Sequence, residues 1–98
     1  MQIKIHEAYR KIVALSDTDL IGKKFSEGNR QIEVKENFFK GEEKDKTEVL
    51  KILKDMDKED ATFNIIGEES VKTAIEAGII SKEGIIKIEN VPLALVLM

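Results

Sequence analysis

The stretch from Ala61 to Ile79 restricts the fold of this chain more than any other. Thr62, Phe63, Ile65 and Ile66 favour an extended strand over residues 61–66, and Gly67 follows at once. Glu68 and Glu69 then stand in the first turn of a helix, where carboxylates complement its positive end, and Val71, Ala74 and Ile75 form its inward stripe. Gly78 occupies the place of the left-handed residue after a helix, and Ile79 is set for the apolar contact that closes such a cap. A strand that passes through glycine into an amphipathic helix requires a sheet for the helix to fold across.

The remaining segments supply that sheet. Residues 2–6 alternate, with Ile3 and Ile5 on one face and Lys4 and His6 on the other, and a second strand is expected at residues 10–15. Ser16 and Asp19 have the spacing of a capping box, so a short helix carrying Leu20, Ile21 and Phe25 is expected before Gly28-Asn29. Residues 31–35 alternate again, with Ile32 and Val34 inward. Phe38-Phe39, beside Lys40-Gly41-Glu42, reads as an aromatic plug in which one ring fills the core and the other closes its edge or makes a contact surface. Asp45 and Glu48 cap the clearest helix, whose stripe is Val49, Leu50, Ile52, Leu53 and Met56. Short strands are expected at residues 84–89 and 93–98, with Pro92 suited to a strand end or edge because it lacks an amide proton.

This order predicts an α+β fold, a two-layer sandwich in which a compact mixed β-sheet is packed with about three α-helices. Residues 1–98 are expected to form one domain. With 42% apolar and 36% charged residues the chain can bury a small core, too small to enclose a bulky cofactor. There is no cysteine, which removes disulfides, thiolate nucleophiles, iron–sulfur clusters and thiolate zinc sites together. No signal-peptide pattern opens the sequence and no apolar run approaches the roughly 20 residues of a membrane helix, so a cytoplasmic protein without membrane contact is expected. Fourteen isoleucines and abundant Lys and Glu match proteins from hot habitats.

The net charge of −3 argues against wholesale coating of nucleic acid, whose binding is driven by clustered Lys and Arg. A local patch is compatible with it. Lys23, Lys24 and Arg30, interspersed with the loop glycines Gly22 and Gly28 and followed by Gly41, form a candidate phosphate-facing surface, and Phe38 or Phe39 supplies a ring for base stacking if it is accessible. The glycine spacing matches neither a phosphate loop nor a dinucleotide fingerprint. His6 is the only imidazole, stands beside Glu7 and has no histidine partner for a metal cluster. Asp55, Asp57, Glu59 and Asp60 lack calcium-loop spacing and are expected to solvate a helix end, Glu68 and Glu69 have a capping explanation, and Ser70 lacks the context of a nucleophile elbow. No catalytic residue, metal site or cofactor is therefore assigned.

The segment Leu20-Ile21-Gly22-Lys23-Lys24-Phe25-Ser26-Glu27-Gly28, then Phe38-Phe39-Lys40-Gly41-Glu42, then Asn64-Ile65-Ile66-Gly67-Glu68-Glu69 with Ala74, Gly78 and Val91-Pro92, resembles an archaeal family known as domain of unknown function 424. The resemblance implies an archaeal, compact α/β-type protein and carries no reaction or catalytic set.

The expected function is that of a noncatalytic binding module with an RNA or protein partner, RNA or translation association being the leading version. A hydrolase or transferase acting on a small anionic metabolite, with Lys23, Arg30, Glu27 and His6 around the ligand, is the alternative; it requires Gly22, Gly28 and Gly41 to converge on one pocket. A third alternative is self-association through the apolar terminal strand if that strand lies at a sheet edge, so the chain is expected as a monomer or small homo-oligomer.

Overall fold

The structure is a computed structural model and describes residues 1–97. The main sheet has six strands: β1 (Gln2–His6), β2 (Ile12–Ser16), β5 (Glu42–Glu43), β6 (Thr62–Ile66), β7 (Ile86–Ile88) and β8 (Val91–Val96), in the order β5-β1-β2-β6-β8-β7. Among the neighbouring pairs of the described residues, only β2 and β6 run parallel. Between β2 and β6 the chain makes a 3₁₀ turn (Thr18–Leu20), a separate hairpin of β3 (Lys24–Glu27) and β4 (Arg30–Glu33), helix α1 (Glu36–Phe39), β5 and helix α2 (Lys46–Lys58). Helix α3 (Glu68–Glu76) follows β6, and a 3₁₀ turn (Lys82–Gly84) leads into β7. This is the mixed α+β fold with three helices on a mixed sheet that the pattern predicts.

Alternation along the strands sorts the core into two clusters. Val13 and Leu15 of β2 and Phe63 and Ile65 of β6 face α2 and α3, where Val49, Leu53, Val71 and Ala74 are buried against them. Ala14 and Ile66 point the other way, onto Val34 and Phe39, with Phe25, Ile32 and Leu93 packed around them. Helices α2 and α3 thus cover one face, while α1 and the hairpin cover part of the second.

Both later helices are capped as expected. The Asp45 carboxylate accepts from the Glu48 amide at 2.9 Å, and Glu48 accepts in return from the Asp45 amide. Past α3, Gly78 has φ +77°, and the Ile79 amide donates to the Ala74 carbonyl as Ile79 packs on the core.

The region between Ser16 and Lys35 departs from expectation. No helix begins at Ser16, which ends β2 and donates its hydroxyl to the Asp17 carbonyl. Asp17 instead reaches across to α3. The anticipated helix is reduced to the Thr18–Leu20 turn, because Gly22 at φ +87° reverses the chain and delivers Phe25 to a strand. The strand expected at residues 31–35 begins one residue earlier and pairs with β3 across a Gly28-Asn29 turn, and the aromatic pair sits on the short α1. The terminal strand starts at Val91; the expectation for Met98 lies outside the described residues. This strand lies between β6 and β7, not at an edge, which removes the condition on which edge-to-edge self-association depended. Pro92 is tolerated there because its carbonyl, and hence its missing donor, faces the point where the neighbouring chain leaves the sheet: Gly67 donates to Pro92 but turns its own carbonyl to Val71 in α3.

The edge strand β5 is held by a carboxylate. Glu43 accepts from the Met1 α-ammonium at 2.6 Å, from Thr18 Oγ1 at 2.7 Å and from Gln2 Nε2 at 3.0 Å. These donors, the ammonium foremost, hold its carboxyl down to about 2, below the ordinary 4.5. Because the folded value is depressed, the stability this group contributes is present above about pH 4.5 and is lost as pH falls towards 2. Urea midpoints measured from pH 6 to pH 2 are expected to fall more steeply for the parent protein than for Glu43→Gln, with the two curves converging at the acid end; parallel curves would refute this role.

Candidate functional surface

The predicted site residues are spread over several elements: Phe38 and Phe39 lie on α1, His6 on β1, and Lys24 and Arg30 on the β3–β4 hairpin. Lys4 and His6 project from β1 onto the second face, beneath α1. Lys4 Nζ donates to the Asn37 carbonyl at 2.8 Å, and His6 Nε2 is 2.8 Å from the Phe38 carbonyl, a contact that requires the proton on Nε2. These two side chains satisfy carbonyls at the end of a helix only four residues long. The His6 ring also stacks on Phe38, with centroids 4.5 Å apart and planes inclined by 16°, and Phe38 meets Phe39 edge-on at 5.0 Å. Phe39 is buried, so its ring is core. Phe38 is half-buried, with one face already taken by the imidazole. Phe39 is thus the ring that fills the core, and Phe38 lies at its edge against the imidazole.

Lys23, Lys24 and Arg30 are exposed on the hairpin or at its base. Lys24 lies opposite Glu33 in the β3–β4 register and Arg30 opposite Glu27, so carboxylates interrupt the positive surface. The loop glycines do not converge. Gly22 is at the base of the hairpin, Gly28 at its tip with φ +61°, and Gly41 beside β1, where an added Cβ would strike the Ile3 carbonyl. The pocket that the enzyme alternative required is not formed by these residues. Among the described residues no group of three or more His, Asp or Glu side chains is placed to hold a metal ion.

At the carboxyl ends of the parallel strands β2 and β6, where α/β sheets commonly seat ligands, the position is filled from within. The Asp17 carboxylate accepts from the Ser70 amide at 2.8 Å, the Ser70 hydroxyl at 2.7 Å and the Glu69 amide at 3.2 Å. It occupies the place an external anion would take at the start of α3. Next to it lies a crevice of about 200 Å³ whose acidic side chains are Asp17, Asp19 and Glu68.

The largest departure from a closed core is on the second sheet face, next to the area the hairpin covers. Leu95 is 56% exposed and Ile86 44%, although β8 is an interior strand. Asn64 pairs with Leu95 and Ala14 in register, and Thr62 pairs with Ile12. Asn64, Thr62 and Ile12 are each half-buried on this same face. Leu97, 72% exposed, and the fully exposed Tyr9 border this area at the end of the sheet. The result is an open apolar floor with a polar Asn64-Thr62 centre.

Comparison with known proteins places the chain. The family described as "Protein of unknown function (DUF424)" matches residues 5–98. The chain belongs to this family. A solved structure described as an uncharacterized conserved protein from Methanopyrus kandleri has the same fold as this DUF424 chain, with a TM-score of 0.85 and 22% identity over 97% of this chain and 88% of the other. No curated protein matches. The fold is thus seen in a second protein, and neither description names an activity.

Sequence reasoning missed the open floor because the alternation of residues 91–97 reads as an apolar strand on both faces. The available signal was the surplus: a strand apolar on both sides needs two covers, and the described residues form only two long helices, both used on one face.

Proposed function

We propose that this DUF424 protein is a cytoplasmic, noncatalytic binding module and that it binds a protein partner through the open sheet floor around Leu95 and Ile86. The observation that carries the reading is the exposure of Leu95 on a strand flanked by neighbours on both sides, a position that otherwise buries its apolar face. Apolar anchors surrounded by a few polar groups are the usual make-up of a docking surface. The RNA and translation reading rests on Lys23, Lys24 and Arg30 sharing the hairpin. It is the weaker of the two because Glu33 and Glu27 stand opposite two of these cations, Phe39 is core and Phe38 is stacked on His6.

A photo-crosslinking residue at position 86, and separately at position 24, tests both versions in a native extract. The expected result is a saturable protein adduct at position 86 that unlabelled parent protein competes away and Leu95→Lys does not, the loss of competition being on the order of ten-fold or more for a buried apolar anchor. RNA adducts at position 24 that weaken steeply with salt would replace the protein reading with the RNA one. Equal competition by parent and Leu95→Lys would remove the floor from the proposal.

A further inference from the structure

We propose that the β3–β4 hairpin is a flap over the second sheet face, hinged at Gly22 and Val34 and latched at its tip by Glu27 and Glu89. Three observations support this. The hairpin forms a two-stranded sheet of its own and shares no ladder with the main sheet. Within residues 24–33 only Phe25 and Ile32 are half-buried and the rest are exposed, so its hold on the body is slight; an isolated two-stranded ribbon is marginal in water. Its attachments are also concentrated at the two ends.

At the base, the Gly22 amide donates to the Val34 carbonyl at 2.7 Å and the Val34 amide to the Lys23 carbonyl at 2.8 Å, with Val34 fully buried. Gly22 has φ +87° and a Cβ placed on it would meet nothing within 4 Å, so the base of the hairpin carries a residue of wide backbone freedom with no side chain wedged against the body. At the tip, the Glu27 carboxylate accepts from the Glu89 amide at 2.8 Å, and the Glu89 carboxylate accepts from the Ser26 amide at 2.7 Å. This reciprocal pair joins the hairpin to the tight turn between β7 and β8, where Glu89 and Asn90 both have positive φ as a two-residue primed turn requires. A body anchored at its base, lightly packed along its length and clasped at its tip opens as a local unit with little cost to the rest of the fold.

The floor of the flap is apolar. Phe25 and Ile32 pack in the cluster that contains Ile66, Val91 and Leu93, and Leu93 is the register neighbour of exposed Ile86 and, two residues along β8, of exposed Leu95. Opening therefore extends the exposed floor without a break. As a gate the flap rests on the docking reading of that floor; as a moving part it does not.

Native-state hydrogen exchange tests the motion on the intact protein, with Glu27→Ala, Glu89→Ala and the double variant compared with the parent. Amides 24–33 are expected to exchange faster, on the order of ten-fold in the double variant, as carboxylate-to-amide bonds of this kind are lost. Amides of Val13, Leu15, Phe63 and Ile65 are expected to hold their parent rates. Acceleration of both sets together would make the hairpin part of the global unit and overturn the flap. Unchanged rates in both would show that the carboxylates latch nothing, which overturns it equally. These exchange rates are read whether or not Leu95→Lys abolishes partner binding, so failure of the docking reading and failure of the flap are told apart.

Discussion

Gly67→Ala is expected to destabilise the protein by about 3 to 5 kcal/mol, summing backbone strain with the loss of charged hydrogen bonds. Gly67 joins β6 to α3 at φ +112° and ψ 155°, a region open essentially to glycine alone. A methyl group there would also run into the Asp17 carboxylate. That carboxylate cannot move aside without loss, because it satisfies the Glu69 and Ser70 amides and the Ser70 hydroxyl at the start of α3. The strain and the clash are separable. Asp17→Ala alone is expected to cost about 2 to 3 kcal/mol for its charged bonds to a partly buried site. In the double variant the two losses are expected to sum to more than the measured total, because the clash disappears with the carboxylate. Urea denaturation of the four proteins measures the cycle. Strict additivity would show that Asp17 and Gly67 act independently, contrary to the geometry.

Phe63→Ala is expected to cost about 3 to 5 kcal/mol, the range for removing a fully buried aromatic ring from a packed core. Phe63 is fully buried on β6, pairs with Val13 on one side and Val96 on the other, and belongs to the cluster that α2 and α3 cover. Since domains of this kind are commonly stable by only about 5 to 15 kcal/mol, the variant is expected to approach the limit of folding. A shift of the thermal midpoint by less than a few degrees would mean that the helices do not seal this face. Phe63→Leu, which keeps most of the volume, is expected to recover much of the loss, and this recovery distinguishes a packing role from a backbone effect.

Both effects fall on the unit from Ala61 to Ile79, and that unit was also the most legible part of the sequence. Its strand, its glycine, its helix and its closing cap are all determined by neighbours within a few positions. The same holds for Asp45 and Glu48, whose reciprocal bonds span three residues. Ser16 and Asp19 had the same spacing and did not form a cap, because Asp17 between them is drawn 53 positions along the chain to Ser70. A capping motif identifies residues able to cap; it does not say which helix they serve.

The candidate site was legible only in its cations. Lys23, Lys24 and Arg30 are exposed as polar residues on a turn should be, but their opposing carboxylates follow from a β3–β4 register that depends on Gly28-Asn29 forming a hairpin turn. Phe38 and Phe39 are adjacent and chemically identical, and only the direction of α1 over β1 sends one ring to the core and the other to His6.

Local chemistry alone therefore determined the alternating Ile and Val strands, the two long helices with their caps, the small mixed core and the family resemblance. Those features depend on periodicity and on contacts a few residues apart. The tertiary structure decided that β8 is an interior strand, that Asp17 plugs the start of α3, and that Leu95 and Ile86 lie uncovered beside a separately attached hairpin. These outcomes are set by pairing between segments far apart in the chain, where the choice depends on which apolar faces find a cover first and which are left without one.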